Sequence, residues 1–133
     1  MWGIMRALAR EVAFKKIYEG LFNLDTEIDV FFEHDNLSKD EDKVFASTLV
    51  DLYIQNKSEI DNLINGMLKD YSPERVFKID RAILSLAVAE LKFYKQTPKS
   101  VVINEAVNLA KKYGAEKSYS FVNGILKSIT EAI

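Results

Sequence analysis

The chain has 133 residues, of which 48 % are hydrophobic and 29 % charged, and it contains no cysteine. That length suits one domain, or a helical domain of two lobes, with a core of its own, and the missing thiols exclude disulfides, thiolate metal sites and cysteine nucleophiles. A net charge of −2 argues against a generic nucleic-acid binder, yet thirteen acids against four lysines crowd residues 25–74, while in residues 92–128 seven lysines meet only Glu105 and Glu116. Arg6, Arg10, Lys15 and Lys16 likewise outnumber Glu11 and Glu19 at the start. A fold that joins these basic ends makes one positive surface able to attract a polyanion.

The first helix is expected from about Ile4 to Phe22, with Leu8, Val12, Ile17 and Leu21 on its apolar face and Arg6, Arg10 and Lys16 pointing outward. The apolar cluster of Trp2, Ile4 and Met5 at the start reads as a packed arm or a contact surface, with packing the preferred reading. The opening MWGIMRALAR is broken too soon by arginine to be a secretory signal, and no apolar run approaches the ~18 residues of a membrane span, so the expected location is cytoplasmic. Asp25 suits the cap of a short helix carrying Ile28, Phe31 and Phe32, and the solitary His34 is assigned no chemistry. Ser38 to Glu41 has the form of a capping box, opening a helix with Val44, Phe45, Thr48, Leu49, Leu52 and Tyr53 on one face. The acids at 40–42 suit the positive end of that helix and lack the central glycine of a calcium loop.

Ser58 starts a helix with Ile60, Leu63, Ile64, Met67 and Leu68, and Ser72-Pro73 marks another start. Ile79 to Leu91 is apolar almost all round, which predicts a central, buried helix. After a turn at residues 95–98 comes a helix with Ile103, Ala106, Val107, Ala110 and Tyr113 on one side and Asn104, Asn108, Lys111 and Lys112 on the other. Gly114 is expected to stop it in the left-handed conformation, and a second helix follows with Phe121, Val122, Ile125, Leu126 and Ile129 together. Gly124 within that helix suggests close approach of a neighbour. Short connections between amphipathic helices predict an all-α bundle.

Chemistry that needs a convergent catalytic set finds none: there is no GxxxxGK loop, GxGxxG or HExxH, and no enzymatic activity, cofactor or metal is expected. A binding surface fits better. Asn104 and Asn108 can hydrogen-bond a single strand, Lys111, Lys112 and Lys117 can hold phosphates, and Tyr119 and Phe121 can stack on unpaired bases, with Tyr113 read as a core residue.

The runs Ile103-Asn104-Glu105-Ala106, Leu109-Ala110-Lys111, Tyr113-Gly114, Glu116-Lys117-Ser118 and Phe121-Val122-Asn123-Gly124 carry a family resemblance. Ala9-Arg10-Glu11, Tyr18 and the block from Asp80-Arg81-Ala82-Ile83-Leu84 to Glu90-Leu91 extend it over nearly the whole chain. The sequence resembles the NusB family of bacterial transcription antitermination factors. The resemblance implies about seven helices in two packed sub-bundles, and a protein that pairs with NusE, a small-subunit ribosomal protein. Together the pair binds single-stranded boxA RNA of ribosomal-RNA transcripts and helps RNA polymerase read through terminators within an antitermination complex.

By position, the resemblance implies an RNA side of Arg6, Arg10, Asn104, Lys111, Lys112 and Phe121, and a NusE side of Tyr18, Asp80, Arg81 and Glu90. Lys117 stays open between the two partners. Where the family's arginine-rich segment has further basic residues this chain has Ala7 and Leu8, which implies a shallower salt dependence of RNA binding. Two other readings remain at this point: a NusB-like interaction scaffold or homodimer with weak RNA binding, and the accessory domain of an RNA methyltransferase, which requires a catalytic domain beyond residue 133.

Overall fold

The computed structural model describes residues 2–22, 37, 39–69 and 72–133, and all regular structure among them is helical. The six α-helices are α1 (Trp2–Phe22), α2 (Asp40–Gln55), α3 (Lys57–Gly66), α4 (Lys78–Val88), α5 (Lys99–Tyr113) and α6 (Ser118–Ala132). A short 3-10 turn, Pro73–Arg75, precedes α4, and a π-helical segment, Ala89–Tyr94, prolongs it. The all-α expectation holds, with six α-helices among the described residues against about seven expected. The helix expected after Asp25, His34, the Ser38 half of the capping box and the side chains of Trp2 to Met5 lie outside the described residues.

The apolar stretch predicted to be central is the hub. Asp80 and every residue from Ala82 to Leu91 are buried, and α4 packs against α1, α2, α3, α5 and α6. Its alanines at 82, 87 and 89 are short enough to let neighbours close on several sides. α1 pairs with α2 on one flank, and α5 with α6 on the other. The second pair is antiparallel, since Lys99 at the start of α5 reaches the carbonyl of Thr130 at the end of α6. Val122, Ile125, Leu126 and Ile129 all fall on the inner side of α6, as their spacing requires. Each such side chain contributes about 1.5–3 kcal/mol through burial.

Arg10 does not point outward. It is 3 % exposed and lies in the same inward arc as Ala9, Ala13, Phe14 and Ile17. Its Nε and Nη2 donate to the two carboxylate oxygens of Glu90 at 2.8 and 2.7 Å, and the Thr97 hydroxyl donates to Glu90 Oε2 at 2.6 Å. One helical turn earlier, Arg6 Nη1 donates to the Tyr94 hydroxyl at 3.0 Å. Phe45 of α2 wedges between these rungs, 4.0 Å from the Arg6 guanidinium, 5.2 Å from that of Arg10 and edge-on to Tyr94 at 5.3 Å. The π segment closes with the Lys95 amide donating to the Glu90 carbonyl, and Lys95 takes a left-handed φ of 62° as the chain turns away.

Three further expectations need correction. Val44 is 63 % exposed, because the inner face of α2 runs through Phe45, Ala46, Leu49, Val50 and Tyr53, one position on. Gly114 is extended (φ −85°, ψ −177°), so it is required by space and not by handedness: a Cβ there meets Ser118 Cβ at 2.5 Å and Oγ at 2.6 Å. Gly124 faces open space, with no neighbouring atom within 4 Å of where a methyl group would stand, so no close helix approach explains it.

Arg10→Ala is expected to destabilise the fold by about 3–5 kcal/mol in urea unfolding, because it strands the Glu90 carboxylate, whereas Arg10→Met with Glu90→Leu loses far less. Gly114→Ala is expected to lose about 1–3 kcal/mol by overpacking, and Gly124→Ala to gain about 0.5–1 kcal/mol by helix propensity; the same unfolding curves separate the two.

Candidate nucleic-acid interface

The polar side of α5 emerges as the sequence predicts. Asn104, Asn108, Lys111 and Lys112 are all exposed along it, while Val102, Ala106, Leu109 and Ala110 are buried. Tyr113, at the end of the helix, sits at the boundary, its ring 5.2 Å from that of Phe14 in α1. The ammonium groups of Lys15 and Lys112 lie 5.7 and 5.4 Å from the same ring.

Glu11 ties this corner together. It accepts a hydrogen bond from Lys112 Nζ at 2.7 Å and another from the Tyr113 hydroxyl. Burial pushes its carboxyl up, but the hydrogen bonds from Lys112 and Tyr113 and the charges of Lys112 and Lys15 outweigh that, leaving it below its ordinary value. The Glu11 hydrogen bond in turn raises Lys112. Lys112 thus stays charged and mostly exposed while its direction is fixed.

The surface continues across Gly114 onto α6. Lys111 Nζ lies 5.5 Å from the ring of Tyr119, which is exposed. The Ala115 amide donates to Ser118 Oγ at 2.9 Å, holding the interhelix turn against the first turn of α6. Phe121, half-buried against the core, lines a cavity of about 260 Å³ together with Arg75, Phe77, Asp80, Lys117 and Ser118.

Asn104, Lys111 and Lys112 share the exposed side of α5, which meets α6 at Tyr119, whereas Phe121 lines the cavity against the start of α4. Arg6 and Arg10 face Phe45 and the π segment instead, and Arg10 is not an exposed RNA contact. On the expected protein side, Glu90 is 1 % exposed with both oxygens engaged, so it is an internal residue and not a partner contact. Arg81 donates to Asn65 Oδ1 at 2.6 Å and lies 3.8 Å from Asp61, bracing α4 on α3. Tyr18 is half-buried, its ring 6.2 Å from Phe14. Asp80 is 4 % exposed at the cavity wall.

Sequence reasoning missed Glu11, Lys15, Phe77 and Ser118. Glu11 and Lys112 are 101 positions apart, and no helical periodicity reports such a pairing.

Helical architecture with an exposed, lysine-bearing and aromatic-edged face defines an all-α helical bundle with a candidate nucleic-acid interface. The chain belongs to the NusB family, whose model matches residues 7–131. It is 39 % identical over 127 residues to the transcription antitermination protein NusB of Finegoldia magna, covering 93 % of this chain and 92 % of that one. With the Bacillus mycoides protein of the same name it shares 37 % identity over 128 residues, covering 96 % and 98 %. Among solved structures, NusB of T. maritima superposes with a TM-score of 0.87 at 36 % identity, over 95 % of this chain and 90 % of that one. A structure of antitermination factors NusB and NusE in complex with double-stranded RNA matches with a TM-score of 0.87 at 32 % identity over 100 % of both chains. Among the described residues, no helix is long and apolar enough to cross a membrane.

Because the folded carboxyl of Glu11 titrates below its ordinary 4.5, the stability it contributes is complete above that value and is lost as pH falls through the lowered one. Thermal unfolding from about pH 6 to about pH 3 is expected to show a flatter acid limb for Glu11→Gln than for the parent protein.

Proposed function

We propose that this protein is a transcription antitermination factor that binds boxA RNA of ribosomal-RNA transcripts jointly with NusE and supports read-through by RNA polymerase. It works as a single domain over residues 1–133 in the cytoplasm, by binding alone, with no catalysed reaction and no cofactor. The observation that carries this reading is the exposed run of Asn104, Asn108, Lys111 and Lys112, which ends beside the exposed ring of Tyr119. It supplies hydrogen-bonding amides, phosphate-binding ammoniums and a stacking ring on one side of the α5–α6 pair. The NusB–NusE–RNA structure that the fold matches over its full length supports the same partners.

One observation favours a weaker RNA affinity than this reading requires. Arg10 is committed to Glu90, so the N-terminal helix offers less free positive charge than its sequence suggests. In the second reading the chain is an interaction scaffold or homodimer that meets NusE, or its own copy, with little RNA affinity.

Fluorescence anisotropy of a labelled boxA RNA, with and without NusE and at two salt concentrations, separates the readings. The antitermination role predicts binding that NusE tightens, that exceeds binding to a scrambled RNA, and whose salt slope falls by about 0.7 in Lys111→Ala. Equal affinity for both RNAs with NusE present would leave the scaffold reading in place.

A further inference from the structure

At the end of the bundle away from the α5–α6 turn, the π segment, the first turn of α5 and the end of α6 surround a cavity of about 490 Å³. Its floor is aliphatic: the buried Leu91, the half-buried Leu63 of α3, and the exposed Ala132 and Ile133. Lys92, Lys95 and Lys99 stand around it, and among the described residues no acidic side chain joins them in the lining. Lys92 is held by Glu59 at 2.7 Å, whereas Lys99 reaches only the Thr130 carbonyl, at 3.5 Å. Neither Lys95 nor Lys99 has a carboxylate partner among the described residues. Lys95 adds a second observation. Among the described residues it alone has a left-handed φ, 62°, at a helix stop where glycine is the usual residue. A side chain is disfavoured in that conformation, and strain of this kind is kept where the side chain itself is needed.

We propose that this cavity binds a small single-chain aliphatic anion, its tail on Leu63, Leu91, Ala132 and Ile133 and its phosphate or carboxylate head between Lys95 and Lys99. The volume lies within the roughly 300–1,000 Å³ of small-molecule sites. A flexible hydrocarbon tail buries against aliphatic side chains without directional partners, and two ammonium groups suit one anionic head. A nucleotide fits less well, because no aromatic ring lines the cavity to stack on a base. Thr97, the one hydroxyl in the lining, already gives its proton to Glu90. Lys95 and Lys99 flank that threonine, so a head group held between them also steadies the turn from which α5 starts.

The test titrates the full chain with hexyl, octyl and decyl phosphate below their micelle-forming concentrations, read by calorimetry and by amide and methyl NMR shifts. Affinity is expected to rise about fourfold per added methylene until the cavity is filled, with shifts centred on Leu63, Leu91, Ala132 and Ile133. Lys95→Gln and Lys99→Gln, both at exposed side chains, should each weaken decyl phosphate roughly tenfold. Lys95→Gly should weaken it as much while melting no lower than the parent, because glycine accepts the left-handed backbone. Inorganic phosphate and decyltrimethylammonium, which lack the tail and the anionic head respectively, should show little binding. Affinity that ignores chain length, equal binding of either control, parent affinity in all three lysine variants, or shifts centred elsewhere overturns the proposal. Capture of anionic phospholipid vesicles without binding of the monomeric phosphates also overturns it and assigns the lysines to a membrane surface.

Discussion

The ion pair between Arg10 and Glu90 constrains the rest of the molecule. Two charges at 3 % and 1 % exposure are tolerated only when their desolvation is offset by close geometry and by partners for the remaining lone pairs. The arginine fork supplies two parallel hydrogen bonds, and Thr97 supplies a third from the turn that leads into α5. The pair therefore fixes α1 against the end of the α4 axis and also fixes where α5 begins. The adjoining Arg6–Tyr94 rung and the Phe45 ring extend the clamp to α2. The π segment fits this role: Glu90 and Tyr94 meet Arg10 and Arg6 in antiparallel register, 90 with 10 and 94 with 6. π-helical insertions recur where a helix must redirect side chains in this way.

From that clamp the candidate binding face follows by packing. α5 leaves the Thr97 turn, runs along α4 and ends where Tyr113 meets Phe14 and Glu11 of α1. Glu11 then orients Lys112, and the tight Gly114–Ser118 contact turns the chain so that α6 returns antiparallel, with Tyr119 beside Lys111. Of the lysines that the sequence spreads over residues 92–128, Lys111, Lys112 and Lys117 are exposed near this turn, whereas Lys92 pairs with Glu59 and Lys99 reaches Thr130 at the far end of the helix pair. The net charge of −2 is no obstacle, because association responds to the local field and much of the acidic charge lies in residues 25–74.

Much of this is legible in the sequence where one helix decides the outcome. The encirclement of α4, the wet stripe of α5 and the inner face of α6 are all local periodicities, and the structure keeps them. What the sequence hides depends on a second element. Arg10 looks like a surface cation until Glu90 is brought to it from 80 positions away. Val44 fits an apolar stripe as well as Ala46 does, and only the neighbours of α2 choose between them. Gly114 does stop its helix, but its constraint is the Ser118 side chain and not a left-handed backbone. Phe77 and Asp80 are not legible as parts of a cavity, because its wall is assembled from the 3-10 turn, α4 and α6 together. A position carried over by motif from the family resemblance says nothing of burial, and Arg10 and Glu90 show the difference.

The central claim is that one face, built from the end of α5 and the start of α6, meets RNA in the presence of NusE. Hydrogen–deuterium exchange of the protein with NusE, before and after boxA RNA is added, tests it most directly, because the turn amides at residues 114–117 lie outside the α-helices and report local opening. The account predicts that RNA slows exchange in that turn, with α2 and α3 unchanged. RNA-dependent protection confined to α2 and α3, with the turn unaffected, would contradict it.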